Sequence, residues 1–299
     1  MPSRRSQASA RESSTSRSSG DPDALTTTQI RDLARRHGVR PSKSLGQNFV
    51  IDQNTVRRIV RLAKVEPTDD VVEVGAGFGS LTLALAGAAR SVKAIEFDHR
   101  LVTALQETAG DLSNVEVVSA DALDVDYRSL LDESSHRFIS NLPYNIATPL
   151  IAKLLEDVPE FTDFVVLVQR EVGERLTASP GSKAYGAVSV LVAYHCATEV
   201  LGKVPPTVFW PPPKVESILV RLSRVPPKVK TPSKELMTVV RSAFSQRRKT
   251  LRNALSSVLA IDVQKVERVL EHAGISPAAR AEELGVEDFD RLARSLALP

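Results

Sequence analysis

At 299 residues, with 42% hydrophobic and 25% charged side chains, the chain has globular composition and the length of a large domain plus a smaller one. That excludes a fibrous or wholly disordered chain, and no apolar run approaches the roughly 18 residues a membrane-spanning helix needs, so no membrane partner is expected. A single cysteine, Cys196, excludes an internal disulfide, and His37, His99, His136, His195 and His272 lack the paired spacings of a structural zinc site.

A reducing compartment, the cytoplasm, and a metal-free site are therefore expected. Net charge is only +3, yet residues 200–252 carry twelve Lys or Arg against Glu216 and Glu235, a local excess of ten that leaves the rest of the chain at minus seven. Segregation of that kind fits a polyanionic partner.

Residues 1–20 hold eight serines, four arginines and one acid, with no large apolar side chain beyond Met1, so residues 1–24 read as a disordered tail. A transit peptide is disfavoured because the segment is not amphipathic. Helical periodicity begins at Thr28 (Ile30, Leu33, Ala34), stops at Gly38 and Pro41, and resumes at Asp52 with Val56, Ile59, Val60 and Ala63. Lys43 to Phe49 is read as a loop between these helices.

Short β-rich runs then alternate with helix-like segments: Val71 to Val74, Val92 to Glu96, Val115 to Ser119, Phe138 to Ser140 and Phe161 to Val168. Such alternation builds a mainly parallel sheet with helices on both faces, an α/β fold. Ala187 to Ala193 and Ser217 to Leu222 are expected to add late strands, antiparallel to the rest. Eight prolines fall between Pro205 and Pro232, and helical spacing follows them to the end, with leucines at 251, 255, 259, 270, 284, 292 and 296. The expected division is a sheet domain over 25–222, a linker over 223–233 and a small all-helical domain over 234–299.

The first strand runs into Gly75-Ala76-Gly77-Phe78-Gly79 and then a helix. Glycines there allow a sharp turn and a close ligand approach. Their spacing is not that of the dinucleotide fingerprint, because the third glycine comes two residues after the second, and this favours a nucleoside ligand without a pyrophosphate. Glu96 ends the second strand, 21 residues past Gly75, where a carboxylate can accept from ribose hydroxyls. Asp121, in Ser119-Ala120-Asp121-Ala122 past the third strand, is placed for an adenine amino group in the same crevice. These three strand ends together resemble the S-adenosylmethionine pocket of class I methyltransferases.

Asn141-Leu142-Pro143-Tyr144 follows the fourth strand. The exocyclic amine of adenine is a poor nucleophile because its lone pair is delocalised into the ring. Hydrogen bonds accepted from it by the Asn141 side chain and a backbone carbonyl, that of Leu142, would localise the lone pair for in-line attack on a sulfonium methyl. Pro143 fixes the backbone, and Tyr144 offers a ring for stacking, worth roughly 1 to 3 kcal/mol. A base reaches such a site only when unstacked or flipped, and it then needs a second face. Phe209, in its proline frame, is the candidate, with Trp210 as competitor.

On these residues the chain resembles the ribosomal RNA adenine N6-dimethyltransferases, from about Lys43 to the C-terminus. Ser44-Leu45-Gly46-Gln47-Asn48-Phe49 is similar to the family's N-terminal cofactor motif, which implies donor contacts through Gln47, Asn48 and Val50. Gly75, Gly77, Glu96, Asp121, Ala122 and Asn141 fall in the family's order, and Phe209 matches its second stacking aromatic. Val50 stands where leucine is usual. The resemblance implies a Rossmann-like class I methyltransferase sheet with a helical C-terminal domain, S-adenosyl-L-methionine as cofactor, and a monomer dimethylating two adjacent adenosines near the 3′ end of 16S ribosomal RNA in the small subunit or its precursor.

Ala243 to Asn253 reads as a helix, with five cations between Arg241 and Arg252 and no acid. Arg247, Arg248, Lys249 and Arg252 are its expected phosphate contacts. Three other readings stay open. They are a large-subunit adenine methylase that confers macrolide resistance, a non-catalytic RNA-binding assembly factor, and, remotely, a Rossmann dehydrogenase.

Overall fold

The computed structural model describes residues 24–42, 45–131, 136–246 and 248–296. All but the last residue of the expected tail lies outside these residues, as do Lys43, Ser44 and Arg247. Helix α1 (Thr27–Arg36) and the two-residue strand β1 (Phe49–Val50) lead into α2 (Gln53–Ala63). An alternating run follows: β2 (Asp70–Val74), α3 (Ser80–Ala86), β3 (Ser91–Glu96), α4 (His99–Ala109), β4 (Val115–Ser119), α5 (Tyr127–Leu130), β5 (His136–Asn141), α6 (Ala147–Asp157) and β6 (Phe161–Gln169). The chain continues through α7 (Arg170–Leu176), α8 (Ala187–His195), β7 (Cys196–Val204), β8 (Phe209–Trp210) and β9 (Ser217–Arg224). It ends in helices α9 (Ser233–Phe244), α10 (Leu251–Leu259), α11 (Val263–His272) and α12 (Val286–Leu296).

Seven strands form one sheet in the order β4-β3-β2-β5-β6-β9-β7, and β1 pairs with β8 in a separate antiparallel ribbon. The first five are parallel, whereas β9 runs antiparallel to both β6 and β7. From β2 the chain winds outward to β3 and β4, then returns across β2 to β5. The strand order therefore reverses between β2 and β5, and ligands in such sheets sit outside the carboxyl ends at that point.

Alternate residues of the strands face two different cores, as the two-residue period of a strand requires. Val71, Ile139, Val165, Leu167 and Leu219 join Val56 and Ile59 of α2 and Leu81 and Leu85 of α3. Val72, Phe138, Val166 and Val220 face the other way, into a core shared with α6, α8 and the C-terminal helices. All of β2 is buried, including the acids Asp70 and Glu73.

Three expectations are corrected. Ala187 to Ala193 is not a strand but most of helix α8. Its Ser189 to Val192 are all buried, and a short apolar run buried on most sides carries no periodicity by which to tell helix from strand. The Ser189 hydroxyl accepts from the Gly186 N–H at 3.1 Å and donates to the Arg175 carbonyl at 2.6 Å, tying down the start of the helix. The late strand that pairs with β9 is instead β7, an edge strand buried only at Cys196 and Val204, so it shows no apolar alternation. Finally, Ala243 to Asn253 is not one helix: α9 ends at Phe244, α10 starts at Leu251, Arg248 and Lys249 lie between them, and Arg252 is in α10.

Candidate active site

The carboxyl ends of β2, β3 and β5, the loop after β4 and the segment before β1 enclose an open cleft of about 810 Å³. Gln47, Asn48, Gly75, Glu96, Asp121, Ala122, Asn141, Leu142 and Pro143 all line it. The sequence reading named each of them.

Gly75 has φ +72°, and a Cβ built there would lie 2.8 Å from the Pro143 ring. Only glycine lets the tetrapeptide after β5 close down on the turn after β2. Glu96 is almost fully buried. Its Oε2 accepts the Gly77 N–H at 2.9 Å, and Oε1 accepts the N–H groups of Phe97 and Asp98 at 2.9 and 3.0 Å. Burial pushes its pKa above the ordinary carboxylate value, and the three backbone donors oppose that shift. Asp121 Oδ1 accepts the Leu123 N–H at 2.9 Å, which orients the carboxylate at the cleft.

Asn141 is held from outside its own strand. Its Nδ2 donates to the Asn48 carbonyl at 3.0 Å, while Oδ1 is buried and has no hydrogen-bond partner among the described residues. Asn48 is in turn fixed by an Nδ2 bond to the Gly46 carbonyl at 3.2 Å. The Gln47 side chain accepts from the Ser42 N–H at 2.9 Å and donates to Asp98 Oδ2 at 3.3 Å. The segment before β1 thus bridges the ends of β3 and β5.

Other named residues sit elsewhere. Gly77 contributes its N–H to Glu96 and is not in the wall of the cleft. Val50 lines a smaller recess behind Gly75, together with Glu73 and Ser80. Tyr144 is partly buried beside the cleft, its hydroxyl 2.7 Å from Ser217 Oγ. Phe209 is corrected: it is 2% exposed and belongs to the core under α2 and α3, so its ring has no face open to a base. Trp210, the next residue, is partly exposed and lies 6.3 Å from the Phe49 ring. Arg248, Lys249 and Arg252 are exposed, and Arg252 is ion-paired to Glu267 at 2.5 Å.

Sequence reasoning missed Leu45, Phe97, Asp98, Leu101, Asn145 and Ile146 in the cleft wall. Phe97 and Asp98 directly follow Glu96, and that adjacency to a strand-end acid was the available signal. Glu73 was also missed as a special group. It is fully buried and accepts the Thr82 hydroxyl at 2.6 Å, and burial, reinforced by Glu96, pushes its carboxyl up to about 8.

A seven-stranded sheet whose strand order reverses between β2 and β5, with acids at or just past neighbouring strand ends, is the arrangement of a class I methyltransferase. A family model described as ribosomal RNA adenine dimethylase matches residues 39–298, and the chain belongs to that family. It is 48% identical over 281 residues to the ribosomal RNA small subunit methyltransferase A of Thermobifida fusca (strain YX), covering 92% of this chain and 97% of that one. The protein of the same name from Kineococcus radiotolerans is 46% identical over 274 residues, 90% of each chain. Among solved structures, a dimethyladenosine transferase from Plasmodium falciparum is 28% identical, covers 81% of this chain and 94% of its own, and has a TM-score of 0.68. The 23S rRNA methyltransferase ErmE is also 28% identical, covers 84% of this chain and 100% of its own, and has a TM-score of 0.64.

Proposed function

We propose that the chain uses S-adenosylmethionine to dimethylate the N6 amines of two adjacent adenosines near the 3′ end of 16S ribosomal RNA, in the small subunit or its precursor. The observation that carries this reading is the buried, unpartnered Asn141 Oδ1 in the wall of the cleft. A buried acceptor without a donor costs free energy, and an adenine N6–H would satisfy it.

The residues suit a nucleoside donor. The missing Cβ at Gly75 leaves room for a close approach, Glu96 is positioned for ribose hydroxyls, and Asp121 with Ala122 for the adenine edge. Gln47, Asn48 and Val50 cover the site from the N-terminal side. Bound there, the donor supplies an electrophilic methyl and keeps the electron pair of the breaking carbon–sulfur bond. Asn141 Oδ1 and the Leu142 carbonyl accept from the target amine and turn its lone pair toward the methyl, and the displaced N6 proton leaves to solvent. Orientation and desolvation do the work, with no strong base. Tyr144 stacks on the target base, and the basic turn at Arg248 and Lys249, within the helical domain 234–299, holds phosphates. Arg247 belongs to the same sequence segment but lies outside the described residues.

The relatives named for the small subunit favour that substrate over the large-subunit alternative. The test is transfer of labelled methyl groups to undermethylated small subunits and, in parallel, to large subunits, with nucleosides identified by mass spectrometry. Two N6,N6-dimethyladenosines in small-subunit RNA alone are expected. Transfer to large-subunit RNA alone would overturn the reading, and so would RNA binding without transfer.

A further inference from the structure

We propose that the outer face of α2, with Lys203 of β7, is a second phosphate-binding surface, and that it grips an RNA segment separate from the one held at the α9–α10 turn. The proposal deepens the reading above, since it takes the substrate to be RNA.

Residues 53–64 contain Arg57, Arg58, Arg61 and Lys64 and no acid. Val56, Ile59 and Ala63 face the core, so helical spacing puts the four cations on the opposite, solvent side. Arg57, Arg61 and Lys64 are exposed, and the Arg58 guanidinium donates to the Lys203 carbonyl at 3.1 Å, which joins the exposed Lys203 to the stripe. Asp52, the N-cap of α2, and Glu66 beyond its end flank the helix, and Glu199 lies on β7.

Several other surface arginines are held by carboxylates. Arg36 is paired to Asp32 and Glu107, Arg170 to Glu174, Arg175 to Glu171, and Arg241 to Glu156. Among the described residues, Arg58, Arg61, Lys64 and Lys203 form no ion pair with a carboxylate. The helix dipole favours cations in the last turn and so accounts for Arg61 and Lys64. It does not account for Arg58 nearer the middle, nor for its like-charged neighbour Arg61 at i+3, which repels it. A polyanion lying along the helix offsets that repulsion.

Arg57 to Lys64 spans about 10 Å of helix, the axial length of roughly three successive phosphates on one strand. A repeating anion fits this better than a single one. Placement then separates the two basic surfaces. Helix α2 packs on the face of Val71, Ile139 and Leu167, whereas α9, α10 and their turn pack with the face of Val72, Phe138 and Val166. The cleft opens at the edge the two faces share, and α2 starts three residues after β1, which borders that cleft. An RNA delivering a base to the cleft while touching both surfaces must pass from one face of the sheet to the other. Two RNA segments are therefore engaged, one on each face.

The test is a variant with Arg61→Gln, Lys64→Gln and Lys203→Gln, beside a charge-keeping one with Arg61→Lys, Lys64→Arg and Lys203→Arg. Binding to the small subunit is followed against salt, with donor affinity and melting temperature as controls. Neutralisation should lower the log–log salt slope by about 2 to 3 and raise KM for the particle, with kcat and donor affinity unchanged. The charge-keeping variant should behave as wild type. An unchanged slope and KM would overturn the proposal, as would a loss confined to anionic lipid vesicles. Photo-crosslinkers replacing Arg61 and Lys249 should label different RNA segments, and labelling of one common segment would contradict the two-surface arrangement. Failure of the functional reading is distinguishable, because it appears as absent transfer by the wild-type enzyme itself.

Discussion

The side-chain amide of Asn141 donates to the backbone carbonyl of Asn48, 93 residues earlier, at 3.0 Å. This one bond decides which end of the amide faces the cleft. With Nδ2 engaged, Oδ1 is left as an acceptor and the site selects a donor ligand such as an amine. Because Asn48 belongs to the segment proposed to cover the donor, the proposed donor and target pockets share a wall.

Gly75→Ala should impair both pockets. The new methyl meets the Pro143 ring at 2.8 Å on a backbone with positive φ, so the turn after β2 or the tetrapeptide must move. We expect weaker donor binding and a fall in kcat together, read by calorimetry and single-turnover transfer. A fall in only one of them would mean that the contact is not shared.

Glu96→Ala and Asp121→Ala should weaken donor affinity by about ten- to a hundredfold, the scale of a charge-assisted hydrogen bond. Affinity for small subunits should stay unchanged in both. Titration calorimetry with the donor checks this, and unchanged donor affinity in both variants would move the pocket elsewhere.

Glu73 sets a pH dependence of stability. Its folded carboxyl titrates near 8, above the ordinary value of 4.5. Between those limits the folded chain holds a proton that the unfolded chain has released. Stability therefore falls as pH rises through this window, by at most about 1.4 kcal/mol per unit. Glu73→Gln should flatten the fall between pH 5 and 8 in urea titrations. A slope identical to wild type would show that Glu73 does not carry it.

Neutralising Arg247, Arg248 and Lys249 should weaken RNA binding and flatten its salt dependence while sparing donor binding. Arg241 and Arg252 are ion-paired to Glu156 and Glu267, so the turn carries the cations of this segment most available to phosphate. An unchanged salt slope would make the turn a solvated surface only.

The lining of the cleft was legible because it is local: Gly75, Glu96 and Asp121 lie at or just past the ends of strands whose apolar runs are visible, and strand ends converge in this topology. The parallel strands were legible for the same reason. Residues whose roles depend on distant partners were not. Phe209 looked like a presented aromatic in a proline frame, but the Val50–Phe209 pairing of β1 with β8 turns its ring into the core. Buried on most sides, α8 has no polar face to mark its period, and the edge strand β7 is too exposed to show apolar alternation. Nothing in the basic segment itself reveals a break between α9 and α10.

The most direct test of the account is single-turnover methyl transfer to undermethylated small subunits by Asn141→Ala, with donor affinity measured on the same preparation. Transfer should fall at least about a hundredfold, the scale seen when one positioned hydrogen-bonding group is removed from a catalytic site, with donor affinity within about twofold of wild type. Near wild-type turnover would contradict the assignment of Asn141 Oδ1 as the acceptor that orients the target amine.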